Sequence, residues 1–266
     1  MCLSLLTENS FKLQNAADRR HCARRKTHTY HTMSQIIRKN IVVIGANRGI
    51  GLELARRFVG KGDRVYAVCR KANDEMRKSK FESIVENVDV GDDSCKATLQ
   101  NSFKDVSIDI LIHNSGILDV DDLDTLDLDS VRRQFEINSL GPLRVVMALK
   151  SCMKVGDSYI GLMTSQMGSI ADNSSGGYYG YRMSKCALNM AGKSLALDLK
   201  GTSSVQLLHP GFVRTDMTKD FGSGARPVGE SVDGIMEIIE SGYGGKTDSG
   251  TFWHGNYGNG IQEIEW

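Results

Sequence analysis

No stretch of this 266-residue chain is apolar for long enough to span a bilayer. Net charge is nearly absent too: 33 Lys and Arg stand against 32 Asp and Glu, leaving +1. That balance argues against a chain whose main task is to bind nucleic acid or an anionic membrane. The six cysteines, Cys2, Cys22, Cys69, Cys95, Cys152 and Cys186, are scattered and form no CxxC pair. A zinc site and a disulfide framework are therefore disfavoured, and a reducing compartment, the cytoplasm, is the expectation. No Pro/Ser-rich linker divides the chain after residue 40, and no internal repeat occurs. Glycine, by contrast, is generous at 28 residues, as a turn-rich α/β fold needs. The length fits one α/β domain or two small ones, and the missing linker favours one.

Residues 1–38 differ from the rest. Lys12, Arg19, Arg20, Arg24, Arg25, Lys26 and Arg38 outnumber Glu8 and Asp18, and apolar periodicity is poor. The segment reads as a basic, disordered leader. A second reading is a mitochondrial presequence, because it is Arg-rich and acid-poor, although no clear amphipathic stripe accompanies the charge. Met33 offers an alternative start.

From residue 39 the pattern alternates. Short aliphatic runs read as buried strands: Ile41–Ile44, Arg64–Cys69, Ile84–Val90, Ile108–His113, Ser158–Met163 and Val205–Leu208, with Thr251–Trp253 as a last one. Between them lie helical patterns at Gly49–Gly60, Asp93–Phe103, Ser130–Met153, Tyr179–Lys200 and Glu230–Glu240. Strands alternating with helices predict a parallel sheet with helices on both faces. The expectation is one α/β domain over 39–266, Rossmann-like and doubly wound, with about seven strands.

Directly after the first apolar run comes Gly45-Ala46-Asn47-Arg48-Gly49-Ile50-Gly51. In such a loop one glycine permits the tight turn out of the strand, and the others allow close approach of a phosphate and of the helix. The helix that follows offers free N–H groups and a positive dipole end to a pyrophosphate. The alternative is a glycine-rich turn with no ligand. The second strand ends at Val68-Cys69-Arg70-Lys71. A fold that binds NAD usually places Asp or Glu there for the ribose hydroxyls. Here Cys69 stands in that place, and Arg70, Lys71 and Arg48 supply cations suited to a 2′-phosphate. NADP(H) is thus expected over NAD(H). Otherwise Arg70 and Lys71 are a solvated loop.

Further on, Tyr181 and Lys185 stand four residues apart, sixteen residues after Ser165. That spacing on a helix puts both side chains on one face. An ammonium beside a phenol favours the phenolate and lowers its pKa, so the tyrosine can serve as general acid or base.

Together these residues resemble the short-chain dehydrogenase/reductase family over about residues 40–266. Gly45, Gly49 and Gly51 match its glycine motif, with Ile44 where Thr is usual. Asp89-Val90 looks like its adenine-contacting pair. His113-Asn114-Ser115-Gly116 matches its Asn-Asn-Ala-Gly motif at Asn114 and Gly116 only. Asn138 looks like its helix asparagine, and Pro210-Gly211 with Val213 and Thr215 resembles the loop beside the nicotinamide. Gly168-Ser169-Ile170, Gly176-Gly177 and His209-Pro210-Gly211-Phe212-Val213-Arg214-Thr215 are similar to the C-factor and sniffer-type carbonyl reductases. The resemblance implies hydride transfer from NADPH to a small carbonyl substrate. Ser165 would hydrogen-bond the carbonyl oxygen and Tyr181 would protonate it. Lys185 would hold the nicotinamide ribose and tune Tyr181, and Asn138 would anchor a relay water. Asn47, Arg48, Ile50 and Arg70 complete the implied cofactor set. It also implies a homodimer or homotetramer through the helices at Ser130–Met153 and Tyr179–Lys200.

Each assignment has a rival. Tyr178 and Tyr179 lie beside Tyr181, but only Tyr181 has Lys four residues on. Thr164 and Ser169 compete with Ser165. His113 and His209 are read as structural, His113 as a satisfied histidine, and Asp89 as a turn residue if it binds nothing. The rival functions are a non-catalytic NADP(H)-binding signalling protein and a pteridine or quinone reductase. The Gly-rich segment from Asp216 to Pro227 predicts a fairly open substrate site.

Overall fold

Ile41, Val42, Val43 and Ile44 are all buried, which requires a strand covered on both faces. In this computed structural model that strand is β1 (Asn40–Ile44). The structure describes residues 38–255 and 260–266. Residues 1–37 of the expected leader, Met33 among them, lie outside the described residues. From β1 the chain runs through α1 (Gly49–Gly60), β2 (Arg64–Val68), α2 (Asp74–Lys78), β3 (Ser83–Val85), α3 (Cys95–Phe103) and β4 (Ile110–His113). It continues with α4 (Leu128–Phe135), α5 (Gly141–Leu149), β5 (Tyr159–Met163), α6 (Tyr179–Asp198) and β6 (Ser204–His209). The last elements are α7 (Val228–Tyr243), β7 (Thr251–Gly255) and β8 (Ile261–Glu263).

The described strands form one sheet in the order β3-β2-β1-β4-β5-β6-β7-β8. All neighbours pair in parallel except β7 and β8, which are antiparallel. This is the expected doubly wound α/β sheet with one additional edge strand. Successive residues of β1 face opposite layers, as the pleat dictates. Ile41 and Val43 pack in the cluster with Leu54, Phe58, Ile235 and Ile239 of α1 and α7. Val42 and Ile44 pack with Leu99 of α3, Val145 of α5 and Leu188 of α6. Each such buried aliphatic side chain contributes about 1.5–3 kcal/mol, so the sheet is a rigid platform. Between β1 and β4 the winding reverses, and the loops leaving their carboxyl ends part to leave a crevice.

Two expectations are corrected, and one helix is added. The single helix over Ser130–Met153 is instead α4, a π turn at Glu136–Leu140, α5 and a 3-10 turn at Lys150–Cys152. Pro142 has no N–H to give to the Asn138 carbonyl and crowds it, so the ladder cannot continue regularly. The chain widens there, and the Gly141 N–H bonds back to the Glu136 carbonyl. The strand expected at Ile84–Val90 stops at Val85, because Asn87 takes a left-handed φ of 63°. The short helix α2 was not expected. It is capped at its start by Asn73, whose side chain accepts from the Met76 N–H, and at five residues it is too short for periodicity to reveal.

Candidate active site

β1 passes the chain to α1 through a turn that only glycine can make. Gly45 has φ 79°, and a Cβ there would lie 2.6 Å from Ser115 Oγ. A Cβ on Gly51 would lie 2.2 Å from the Gly45 oxygen and 2.6 Å from Asn114 Nδ2. Asn114 locks the two loops together: its N–H donates to Ile44 O (3.0 Å) and its Nδ2 to Gly45 O (3.2 Å). No side chain caps the first turn of α1, so its N–H groups remain suited to an anion.

Over this turn opens a cleft of about 690 Å³. Gly45, Asn47, Arg48, Gly49 and Ile50 form its floor, and Arg70, Asp89 and Val90 one side. Asn114 and Gly116, Tyr181 and Lys185, and Pro210 and Thr215 continue the wall. The structure thus gathers most of the residues read from the sequence. Gly51 lies behind the turn rather than on the wall. Gly211 turns at φ 80° toward His254 and Arg226, and Val213 is buried in a bridge to Arg226. These three support the wall without forming it.

The cations at the mouth are loosely held. Arg48 pairs with Asp216 at 2.8 Å, with both side chains two-thirds exposed, and Arg70 lies 4.0 Å from Asp89. Exposed pairs of this kind contribute little, so a phosphate can recruit either guanidinium. Cys69 lines the cleft where an acid would stand, and burial pushes its thiol pKa up, so it brings no negative charge. Asp89 also makes the expected turn, accepting from the Gly91 N–H at 3.0 Å.

Tyr181 and Lys185 sit in the first turns of α6, 8% and 4% exposed. Lys185 Nζ lies 5.8 Å from the centre of the Tyr181 ring and donates to the Met163 carbonyl at 2.9 Å. Burial pushes the Tyr181 phenol up to about 12, against an opposing pull from the Ser165 hydroxyl. Burial also takes the Lys185 ammonium down to about 8. The expected lowering of the tyrosine by the lysine is not found: desolvation sets the shift, and only the Ser165 hydroxyl opposes it. Tyr181 therefore keeps its proton at neutral pH, as an acid must. Ser165, two residues past the end of β5, is buried and not on the cleft wall; it reaches the site through its hydrogen bond with Tyr181, and its Oγ accepts from the Met167 N–H at 3.2 Å. Gly168 lets this loop rest on α6, since a Cβ there would lie 2.8 Å from the Lys185 backbone. Asn138 is fully buried in the π turn and off the cleft wall. It holds Ile117 through both backbone groups (2.8 and 2.9 Å) and donates to Ser184 Oγ at 3.0 Å.

The rivals are otherwise engaged. Thr164 does line the cleft, but its Oγ1 donates to Asn189 Oδ1 at 2.7 Å, and Ser169 Oγ accepts from the Asp172 N–H. Tyr178 faces Phe221, and Tyr179 is 36% exposed. Burial drives both His113 and His209 down to about 3, so both are neutral. His209 Nδ1 accepts from the Gln166 N–H at 3.2 Å, which fits a structural role. His113 is a correction: it is buried as expected, but neither ring nitrogen has a partner.

Asp121 escaped the sequence reading. It is 7% exposed, its backbone oxygen accepts from the Tyr178 N–H (2.7 Å), and its carboxylate accepts from the N–H groups of Tyr179 and Gly180. It therefore anchors the turn of α6 that carries Tyr181. No local signal marks it, because its partners lie far along the chain.

Comparison with known proteins agrees with this fold. The family model for short chain dehydrogenase matches residues 39–225. A 1-hydroxy-2-glutathionyl-2-methyl-3-butene dehydrogenase of Rhodococcus sp. (strain AD45) is 40% identical over 184 residues, 68% of this chain and 80% of that one. The C-signal protein of Myxococcus xanthus is 42% identical over 136 residues, 50% of this chain and 81% of its own. The crystal structure of an NADPH-bound carbonyl reductase from chicken fatty liver superposes with a TM-score of 0.75 at 25% identity, covering 86% of this chain and 99% of that one.

Proposed function

Because the chain belongs to the short-chain dehydrogenase family, we propose that it is an NADPH-dependent carbonyl reductase acting on an aldehyde, ketone or quinone. One observation carries the reading: a proton-bearing Tyr181 and Lys185 share a cleft with two loosely held cations, Arg48 and Arg70. NADPH supplies the hydride when bound. Ser165 donates a hydrogen bond to the substrate oxygen, and Tyr181 gives that oxygen a proton as charge develops. Lys185, charged below about pH 8, stabilises the phenolate left behind. Asn138 keeps the Ile117 backbone and α6 in register beside it. Arg48 and Arg70 take the 2′-phosphate, and neutral Cys69 offers no acid for an unphosphorylated ribose. The NADPH carried by the chicken carbonyl reductase supports the same choice.

Around this core, we place an independent domain at 39–266 and a basic leader before it. The described cysteines Cys69, Cys95, Cys152 and Cys186 are free thiols, which suits a reducing compartment such as the cytoplasm. Among the described residues no helix is long and apolar enough to cross a membrane. Met147 on α5, with Met183, Met190 and Leu197 at seven-residue steps on α6, expose apolar surface suited to pairing between copies of the chain.

The test is NADPH oxidation, followed by absorbance, with aldehydes, ketones, α-dicarbonyls and quinones, beside Tyr181→Phe and with NADH as control. Turnover lost in Tyr181→Phe and weak with NADH is expected. Tight NADPH binding with no turnover on any substrate would overturn the enzyme reading in favour of a cofactor-binding signalling protein.

A further inference from the structure

Arg48 on the glycine loop and Asp216 on the segment after Thr215 both line the cleft, and they meet at 2.8 Å although 168 positions separate them. The backbone presents both. Arg48 is the extended residue just before α1, at φ −163° and ψ 173°, and its side chain makes no capping bond to the helix. Asp216 sits within a closed turn: the Thr215 N–H donates to Thr218 Oγ1 at 3.0 Å, and the Thr218 N–H donates to Thr215 O at 3.1 Å. The two loops also touch, since a Cβ on Gly49 would lie 3.5 Å from Thr215 Cγ2. Among the described residues, no other carboxylate pairs with Arg48, and Asp216 accepts from no other donor. Arg48 is also one of the two guanidinium groups read as the seat of the 2′-phosphate. A carboxylate of this chain is thus bonded to a donor fork that the cofactor needs.

We propose that Asp216 is an internal competitor for the 2′-phosphate of NADP(H): it gives up Arg48 when the phosphate binds and takes it back as the cofactor leaves. This rests on the NADP(H) reading of Arg48 and deepens it. The phosphate wins the exchange because it brings nearly twice the charge and three acceptor oxygens, against one charge and two oxygens on the carboxylate. It wins by less than it would against an unpaired guanidinium. Both side chains of the pair are about two-thirds exposed, so the pair is weak and the handicap is only a few-fold. NADH carries no 2′-phosphate and leaves the pair intact, so Asp216 handicaps NADP(H) selectively. Oxidised and reduced cofactor carry the same phosphate and are handicapped alike, which favours exchange of spent NADP+ for NADPH between turnovers.

The experiment titrates the full chain with NADPH and with NADH by fluorescence, in wild type, Asp216→Asn, Asp220→Asn, Arg48→Ala and the variant carrying both Arg48→Ala and Asp216→Asn. Asparagine keeps the shape of aspartate and both acids are exposed, so those variants keep their fold, checked by the melting temperature. Asp220 is the control, an exposed acid of the same segment that does not line the cleft. Asp216→Asn is expected to tighten NADPH about two- to fivefold and NADH by less, and Asp220→Asn to change neither. In the Arg48→Ala background the gain from Asp216→Asn should vanish, as two residues acting through one pair require. Suppose Arg48→Ala weakens NADPH more than NADH. The competitor alone is then overturned if Asp216→Asn leaves NADPH unchanged or weaker, tightens both cofactors equally, or keeps its gain without Arg48. If Arg48→Ala weakens both cofactors equally or neither, the phosphate reading of Arg48 is overturned and the competitor with it.

Discussion

Gly51→Ala tests how the site is assembled. The added methyl group would lie 2.2 Å from the Gly45 oxygen and 2.6 Å from Asn114 Nδ2. Neither neighbour can yield alone. Gly45 is pinned at φ 79° with its N–H on Val68 O at 2.9 Å, and Asn114 is tied to both Ile44 and Gly45. Restoring an ordinary contact therefore requires α1 to shift by about 1 Å. That shift drags Leu54 and Phe58 against a packed core, and overpacking of this kind costs about 1–3 kcal/mol. In a chain of this size each kcal/mol lowers the melting midpoint by about 2–4 °C, so a fall of about 2–12 °C is expected. The displaced turn should also weaken NADPH binding by about tenfold, equivalent to about 1.4 kcal/mol. Gly60→Ala is the control: it closes the same helix, and its Cβ would meet nothing within 4 Å. That change should stabilise the protein by up to about 1 kcal/mol and leave NADPH binding alone. Thermal melts with and without NADPH, plus a fluorescence titration, read both effects. A Gly51→Ala protein that melts and binds like wild type would refute the close-packed arrangement of turn, helix and Asn114.

For carbonyl reduction, kcat/KM should be level at neutral pH and fall as pH rises through about 8, where buried Lys185 loses its ammonium. Tyr181 keeps its proton up to about 12 and does not limit that profile, so a rate still level at about pH 10 would refute the role given to Lys185. Met190→Glu combined with Leu197→Glu places charge on the exposed face of α6 and should shift the protein to a monomer in light scattering. An unchanged assembly state would move the interface elsewhere.

What could be read from the sequence divides along a physical line. The buried strands of the parallel sheet are near-continuous apolar runs, and most stand where those runs are. The glycine loop and the Tyr181–Lys185 step are local devices, complete within a few residues, so their spacing reveals them. Features set by tertiary contact were not legible. Pro142 announces a break in a long helix, but nothing nearby says that the break would become a π turn holding Asn138 behind the wall. Lys185 beside Tyr181 suggests a lowered phenol pKa. The sign depends on burial, which belongs to the folded molecule, and burial wins. Asp121 is the sharpest case. In the sequence it is one acid in the run Asp119-Val120-Asp121-Asp122. In the fold it reaches across 58 positions to fix the first turn of α6. A carboxylate accepting backbone N–H groups at a helix start, with its own backbone oxygen bracing a left-handed tyrosine, leaves Tyr178 and Tyr181 little freedom to move separately. The proton donor therefore depends on an anchor 58 positions away, and Asp121→Ala should lower the reduction rate at unchanged NADPH affinity, whereas an unchanged rate would refute that dependence.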